Sequence, residues 1–140
     1  MIMTFFIFLA ILIADYEKGK IEFCDKMIYI GEEILILMNS TIPDTNGVFA
    51  ILKNSEKLRD IDIFDIAASS PLKSSENEKI KDYIDLVGKC DVDTMIKQSQ
   101  YFCDYFRLIK NDYQQYYKSH CKIIYAFCIS IGIAISILLV

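Results

Sequence analysis

At 140 residues the chain has room for one compact domain and little more. Its formal net charge of -4, from 19 acidic against 15 basic side chains with no basic stripe to offset them, excludes a phosphate-binding surface and with it a nucleic-acid partner. The hydrophobic content of 54% is high for a soluble domain, and the surplus gathers at the two chain ends, where membrane segments would sit.

Met1–Ala14 is uncharged and rich in Phe, Ile and Leu, but it is short for a full span. No Lys or Arg precedes the apolar run, and Ala14 is followed by Asp15 and Tyr16, so the basic start and small-residue cleavage site of a signal peptide are both missing. The segment reads as a retained, short or tilted membrane helix. After Asp15 the helix continues, with Tyr16, Phe23, Met27, Ile30, Ile34 and Leu37 forming one seam and Ile21, Cys24, Ile28, Leu35 and Met38 a second beside it. Asn39-Ser40-Thr41-Ile42-Pro43 breaks the period, and Pro43 suits the first turn of a second helix that runs to Lys53 and buries Val48, Ile51 and Leu52.

A third helix is predicted over Ser55–Ala68, with Leu58, Ile61, Phe64, Ile66 and Ala67 as its apolar positions. The alternation through Ile61–Ile66 also fits a strand, but no other segment offers it a partner. Ser75-Glu76-Asn77-Glu78 predicts a capping box opening a fourth helix, which buries Ile80, Ile84 and Val87. Gly88 ends that helix as a left-handed cap and Asp91 is the N-cap of the next, a link whose shortness predicts antiparallel neighbours.

From Val92 no breaker intervenes before Val140. Met95, Phe102, Phe106, Ile109, Tyr113 and Tyr116 recur at mostly three or four and lead into Ile123–Val140, which carries no charge and no proline. At the helical rise that run covers about 27 Å, close to the hydrocarbon thickness of a bilayer. Ser130 and Ser136 can bond back to helix carbonyls there, and Gly132 offers a flat spot for close packing. Lys18, Lys20 and Lys26 follow the first apolar run, while Lys110, Lys118 and Lys122 precede the second, so the positive-inside tendency places everything between them in the cytoplasm. The expected fold is all-α: an antiparallel helical bundle over residues 15–122, flanked by membrane helices at 1–14 and 123–140.

Residues with chemical potential are few. Cys24, Cys90, Cys103, Cys121 and Cys128 form no C-x-x-C pair and no zinc spacing; they read as reduced thiols in a helical core, although four lie outside the anchor and would permit two disulfides in an oxidising compartment. His120-Cys121 is the one place where a thiol meets an imidazole, but neighbouring helix residues point about 100° apart. Asp60, Asp62 and Asp65, like Asp82 and Asp85, read as solvated faces, and the aromatic run Tyr101–Tyr117 as packing, since its interleaved charges are mixed. No phosphate-cradling or nucleophile-elbow motif occurs. The sequence therefore predicts no catalytic residue, no metal, no cofactor and no small-molecule substrate.

The pattern resembles the stage III sporulation protein AB family of endospore-forming Firmicutes, itself similar to inner-membrane platform proteins of type II secretion. The likeness rests on the apolar N-terminal leg running into a long helix, the polar turn ending in Pro43, the glycine and aspartate of Val87-Gly88-Lys89-Cys90-Asp91, Lys122 before the membrane, and the Gly132-containing run that finishes at Val140. Departures are Met95 where the family has glutamine, Cys128 where it has glycine, and one helix fewer around Ser69–Ser75. The resemblance implies a non-enzymatic scaffold of a secretion-like channel between mother cell and forespore, seated in the mother-cell membrane around the forespore. Its cytoplasmic bundle would dock an ATPase, other channel components and copies of itself. The alternative is a cell-surface protein with an atypical cleaved signal and a C-terminal anchor.

Overall fold

The computed structural model describes residues 2–40 and 44–139. Five α-helices are present among them: α1 Ile2–Ser40, α2 Thr45–Lys53, α3 Ile66–Ser69, α4 Ser74–Leu86 and α5 Val92–Leu138, with a 3-10 turn at Glu56–Leu58 between α2 and α3. No strand occurs among the described residues, so the fold is all-α as expected. Packing divides the chain into two compact units: Met1–Ile21 with Lys110–Val140, here the helix-pair unit, and Glu22–Ile109, the bundle unit. The helix-pair unit is longer than the apolar runs alone, because Glu17 and Lys20 pack with Tyr113 and Cys121.

In the bundle unit, Met27, Ile30 and Ile34 of α1, Val48 and Leu52 of α2, Ile80 of α4 and Met95 and Phe106 of α5 are fully buried. The α1 positions are spaced at three and four, as the predicted seam requires, and Cys24 and Ile28 of the second row are buried too. Gly31 is a point of close approach to α5: a Cβ there would stand 2.5 Å from Cys103 Sγ and 3.1 Å from the Phe102 ring. Tyr83 of α4 stacks on Phe102 at 4.0 Å between centroids, and its hydroxyl shares a 2.6 Å hydrogen bond with Ser99, itself wholly buried. That bond satisfies both hydroxyls inside the core, where an unpaired one would cost about 1–3 kcal/mol. Burial raises the Tyr83 phenol beyond the ordinary tyrosine range, with the Ser99 hydrogen bond opposing it, and lifts the Cys103 thiol to about 11.

The helix ends follow local chemistry. Asp44 caps α2 by accepting the Gly47 amide at 2.9 Å. Asp91 caps α5, its carboxylate accepting from the Thr94 amide at 3.1 Å and the Thr94 hydroxyl at 2.6 Å; those bonds hold the acid below its usual range. Gly88 takes a φ of +82°, and a Cβ on it would collide with the side chain of Thr45. Gly88→Ala is therefore expected to cost about 1–2 kcal/mol from the left-handed backbone alone, read as a lower urea midpoint. An unchanged midpoint would show that α2 and the link both shift without cost.

Several expectations are corrected. The predicted third helix over Ser55–Ala68 is instead the 3-10 turn, a run of tight turns and the four-residue α3. Asp62 Oδ1 accepts the Phe64 amide at 3.0 Å, and turn hydrogen bonds join Ile61 to Leu58 and Asp65 to Asp62. Short acidic side chains thus offer the backbone partners that compete with the helix. Ile61 and Ile63 point inward, whereas Phe64 and Ala67 are exposed. In α2, Ile51 is exposed while Val48 and Leu52 are buried. Tyr16 and Tyr116 are exposed as well, outside the seams expected for them. The N-cap of α4 is Lys73 rather than Ser75, and Glu76 reaches back to the Lys73 amide at 3.2 Å, leaving Ser75 and Glu78 inside the helix and exposed.

Candidate functional site

Within the helix-pair unit the start of α1 and the end of α5 run antiparallel. Met3 lies beside Gly132 near one end, and Lys20 beside Tyr113 near the other. On α5 the covered positions are Cys121, Ile124, Cys128, Ile131 and Ile135, steps of three and four that define a coiled-coil seam. On α1 the buried positions are Ala10 and Ala14, followed by Glu17 and Ile21, which are half-buried. Small side chains on α1 therefore face the Ile and Cys side chains of α5. Gly132 is buried with the Met3 side chain over it, where a Cβ would stand 3.2 Å from Met3 Cγ. The expected back-bonds are present, Ser130 to the Ala126 carbonyl at 2.8 Å and Ser136 to the Gly132 carbonyl at 2.7 Å.

The outer surface of this pair is the reverse of a soluble bundle. Phe5, Phe8, Phe127 and Ile137 are between 59% and 71% exposed, and Ile7, Leu12, Ile123, Ile133 and Leu138 are exposed beside them. Each such side chain left in water forgoes about 1.5–3 kcal/mol of burial. A contiguous patch of this kind marks a surface that is covered by something apolar. Among the described residues α5 is the one helix with a stretch long and apolar enough to cross a membrane.

Polar groups collect where the apolar runs end. Glu17 Oε1 accepts from Lys20 Nζ at 3.1 Å with both side chains largely buried, and Glu17 Oε2 is buried without a hydrogen-bond partner. The Lys20 ammonium lies 4.7 Å from the Tyr16 ring centroid and 5.5 Å from that of Tyr113. Lys118 and Lys122 are exposed on α5 just before its apolar run.

Of the motif residues singled out in the sequence, Gly88 and Asp91 are brought together in the α4–α5 link of the bundle unit. Gly132 and Lys122 lie in the helix-pair unit, one buried in the seam and the other exposed, so they do not form a common site. Pro43 and Val140 fall outside the described residues. His120 is exposed and stacks on Tyr116 at 3.8 Å, whereas Cys121 is buried. Among the described residues the cysteines form no disulfide, and no group of acids, histidines and cysteines is placed to hold a metal ion. The sequence reading missed Ala10 and Ala14, although small residues four apart in an apolar run are the usual sign of a close helix contact. Compared with known proteins, the chain matches no family model, no curated sequence and no solved structure.

Proposed function

We propose that the helix pair sits in a bilayer and that the chain is a non-enzymatic scaffold subunit of a secretion-like sporulation channel. The observation that carries the membrane half is the inverted packing, with Ala10, Ala14 and Gly132 inside and Phe5, Phe8, Phe127 and Ile137 outside. Residues 123–140 then supply the full span and the apolar start of α1 a shorter leg beside it. Lys18, Lys20, Lys118 and Lys122 all lie on the bundle side of the two apolar runs, which favours a cytoplasmic bundle. The seating of Ala10 and Ala14 against α5 supports a retained first leg over a cleaved signal.

The scaffold half rests on the resemblance to the stage III sporulation AB family. Its bundle would bind a motor ATPase and other channel components from the mother-cell cytoplasm. The charge division fits such a role, since Glu22–Ile109 carries sixteen acidic against ten basic side chains and presents an acidic body to basic partners.

Topology is tested by labelling with a membrane-impermeant maleimide. Cys24, Cys103 and Cys121 are buried, so a Ser75→Cys variant, exposed at the start of α4, in a Cys90→Ser/Cys128→Ser background gives a clean reporter. Labelling is expected only after the cells are opened. Labelling in intact cells would support the cell-surface alternative. Deleting the gene from its host is expected to lower the count of heat-resistant spores, and an unchanged count would sink the sporulation assignment.

A further inference from the structure

We propose that Phe64 and the groove between α3 and α4 are a docking site for a basic, amphipathic segment of a partner protein. The inference rests on the scaffold reading only in expecting a protein as the occupant. The groove has a volume of about 220 Å³, with Phe64, Ala67, Ile80 and Ile84 as its apolar lining. That is smaller than a typical small-molecule pocket and suits one or two anchoring side chains of a peptide.

Among the described residues of the bundle unit, Phe64 is the most exposed large apolar side chain, at 71%. It is held in that position, because the Asp62 carboxylate fixes its amide and the Phe49 ring supports it from one side at 5.4 Å between centroids. The Phe64 ring lies outside the buried core, whereas Ile63 beside it is buried.

The rim gives the charge of the occupant. Asp65 and Asp85 line the groove against Lys81, and the exposed Asp62, whose carboxylate accepts the Phe64 amide, adds a third acid beside it, whereas Asp60 is paired with Lys26 at 3.9 Å. A second copy of this chain would bring two acidic rims together, and an anionic lipid surface would be repelled by the same groups. A segment carrying Lys or Arg around a bulky apolar residue satisfies both the groove and its rim.

The test uses the full chain in nanodiscs of zwitterionic lipid, screened against a random peptide library, with enriched peptides titrated onto the wild type and variants. Enriched peptides are expected to be net positive with at least one bulky apolar residue. Phe64→Ala is expected to weaken them about tenfold, a loss typical of an anchoring contact. The Asp65→Asn/Asp85→Asn double variant, altered only at exposed positions, should weaken them severalfold and flatten their salt dependence. Circular dichroism confirms that each variant is folded. Neutral or acidic winners, affinities that neither variant changes, or a Phe64-dependent dimer in light scattering would each overturn the proposal. Maleimide labelling reads the membrane side alone, so a failure of the groove and a failure of the topology are told apart.

Discussion

Phe106→Ala is expected to remove about 3–5 kcal/mol from the stability of the bundle unit, the usual cost of deleting a buried aromatic side chain. Phe106 has no exposed surface and packs between Phe102, at 4.8 Å between ring centroids, and Tyr105, at 5.3 Å. Phe102 in turn carries the stacked Tyr83 and lies beside Gly31, so a void at Phe106 loosens the joint at which α1, α4 and α5 meet. In a domain whose whole stability is about 5–15 kcal/mol, that loss leaves little in reserve. Leu108, two residues along the same helix, is 62% exposed and serves as the control. Leu108→Ala should stay within about 0.5 kcal/mol of the parent. Urea unfolding of the full chain in detergent, followed by near-ultraviolet circular dichroism, reads both, and equal midpoints for the two variants would refute the placement of Phe106.

Gly132→Leu is expected to part the helix pair. The Met3 side chain already lies where a Cβ would make a tight contact, and a branched side chain at position 132 has no room without moving α1 away from α5. In the proposed bilayer setting lipid would supply no hydrophobic drive to hold two apolar helices together, so pairing would depend on close packing. Loss of that fit is felt along the seam, through Ala10 and Ala14 on one side and Cys128 and Cys121 on the other. Spin labels at Phe8 and Phe127, both on the outer surface, report the separation. The mean distance should grow by about 2 Å, the width of the usual range of interaxial distances, and its distribution should broaden. Ile129→Leu, on the exposed face of α5, should leave both unchanged. Identical distance distributions for Gly132→Leu and the parent would falsify the seam.

The same contact changes what Gly132 is for. As a flat spot in an apolar helix it is open to pairing between neighbouring copies. In the structure the chain's own Met3 lies over it.

Much of the bundle was legible in the residues themselves. The three-and-four spacing of Phe23, Met27, Ile30 and Ile34 identifies the buried face of α1, because a helix returns to the same side every 3.6 residues. Gly88 and Asp91 mark the α4–α5 link through backbone chemistry that is local: a positive φ tolerated by glycine, and a carboxylate within reach of the Thr94 amide. The uncharged run after Lys122 is marked by length and composition alone as a stretch long and apolar enough to cross a membrane.

What only tertiary structure decided was where equivalent residues go. Phe64, Ile51 and Tyr16 have the same apolar character as their buried neighbours, and their exposure follows from which partner helix is present rather than from any local preference. Residues 55–69 had enough apolar positions for a helix, yet Asp62 and its neighbouring turns won because short polar side chains satisfied the backbone there while Ile61 and Ile63 still reached the core. Ser99 was invisible as a core residue until Tyr83 supplied its hydrogen bond. Ala10 and Ala14 carry the small-residue spacing of a helix contact in the sequence, but which helix they meet is decided only when α5 packs against them, since the spacing marks a face and not its partner.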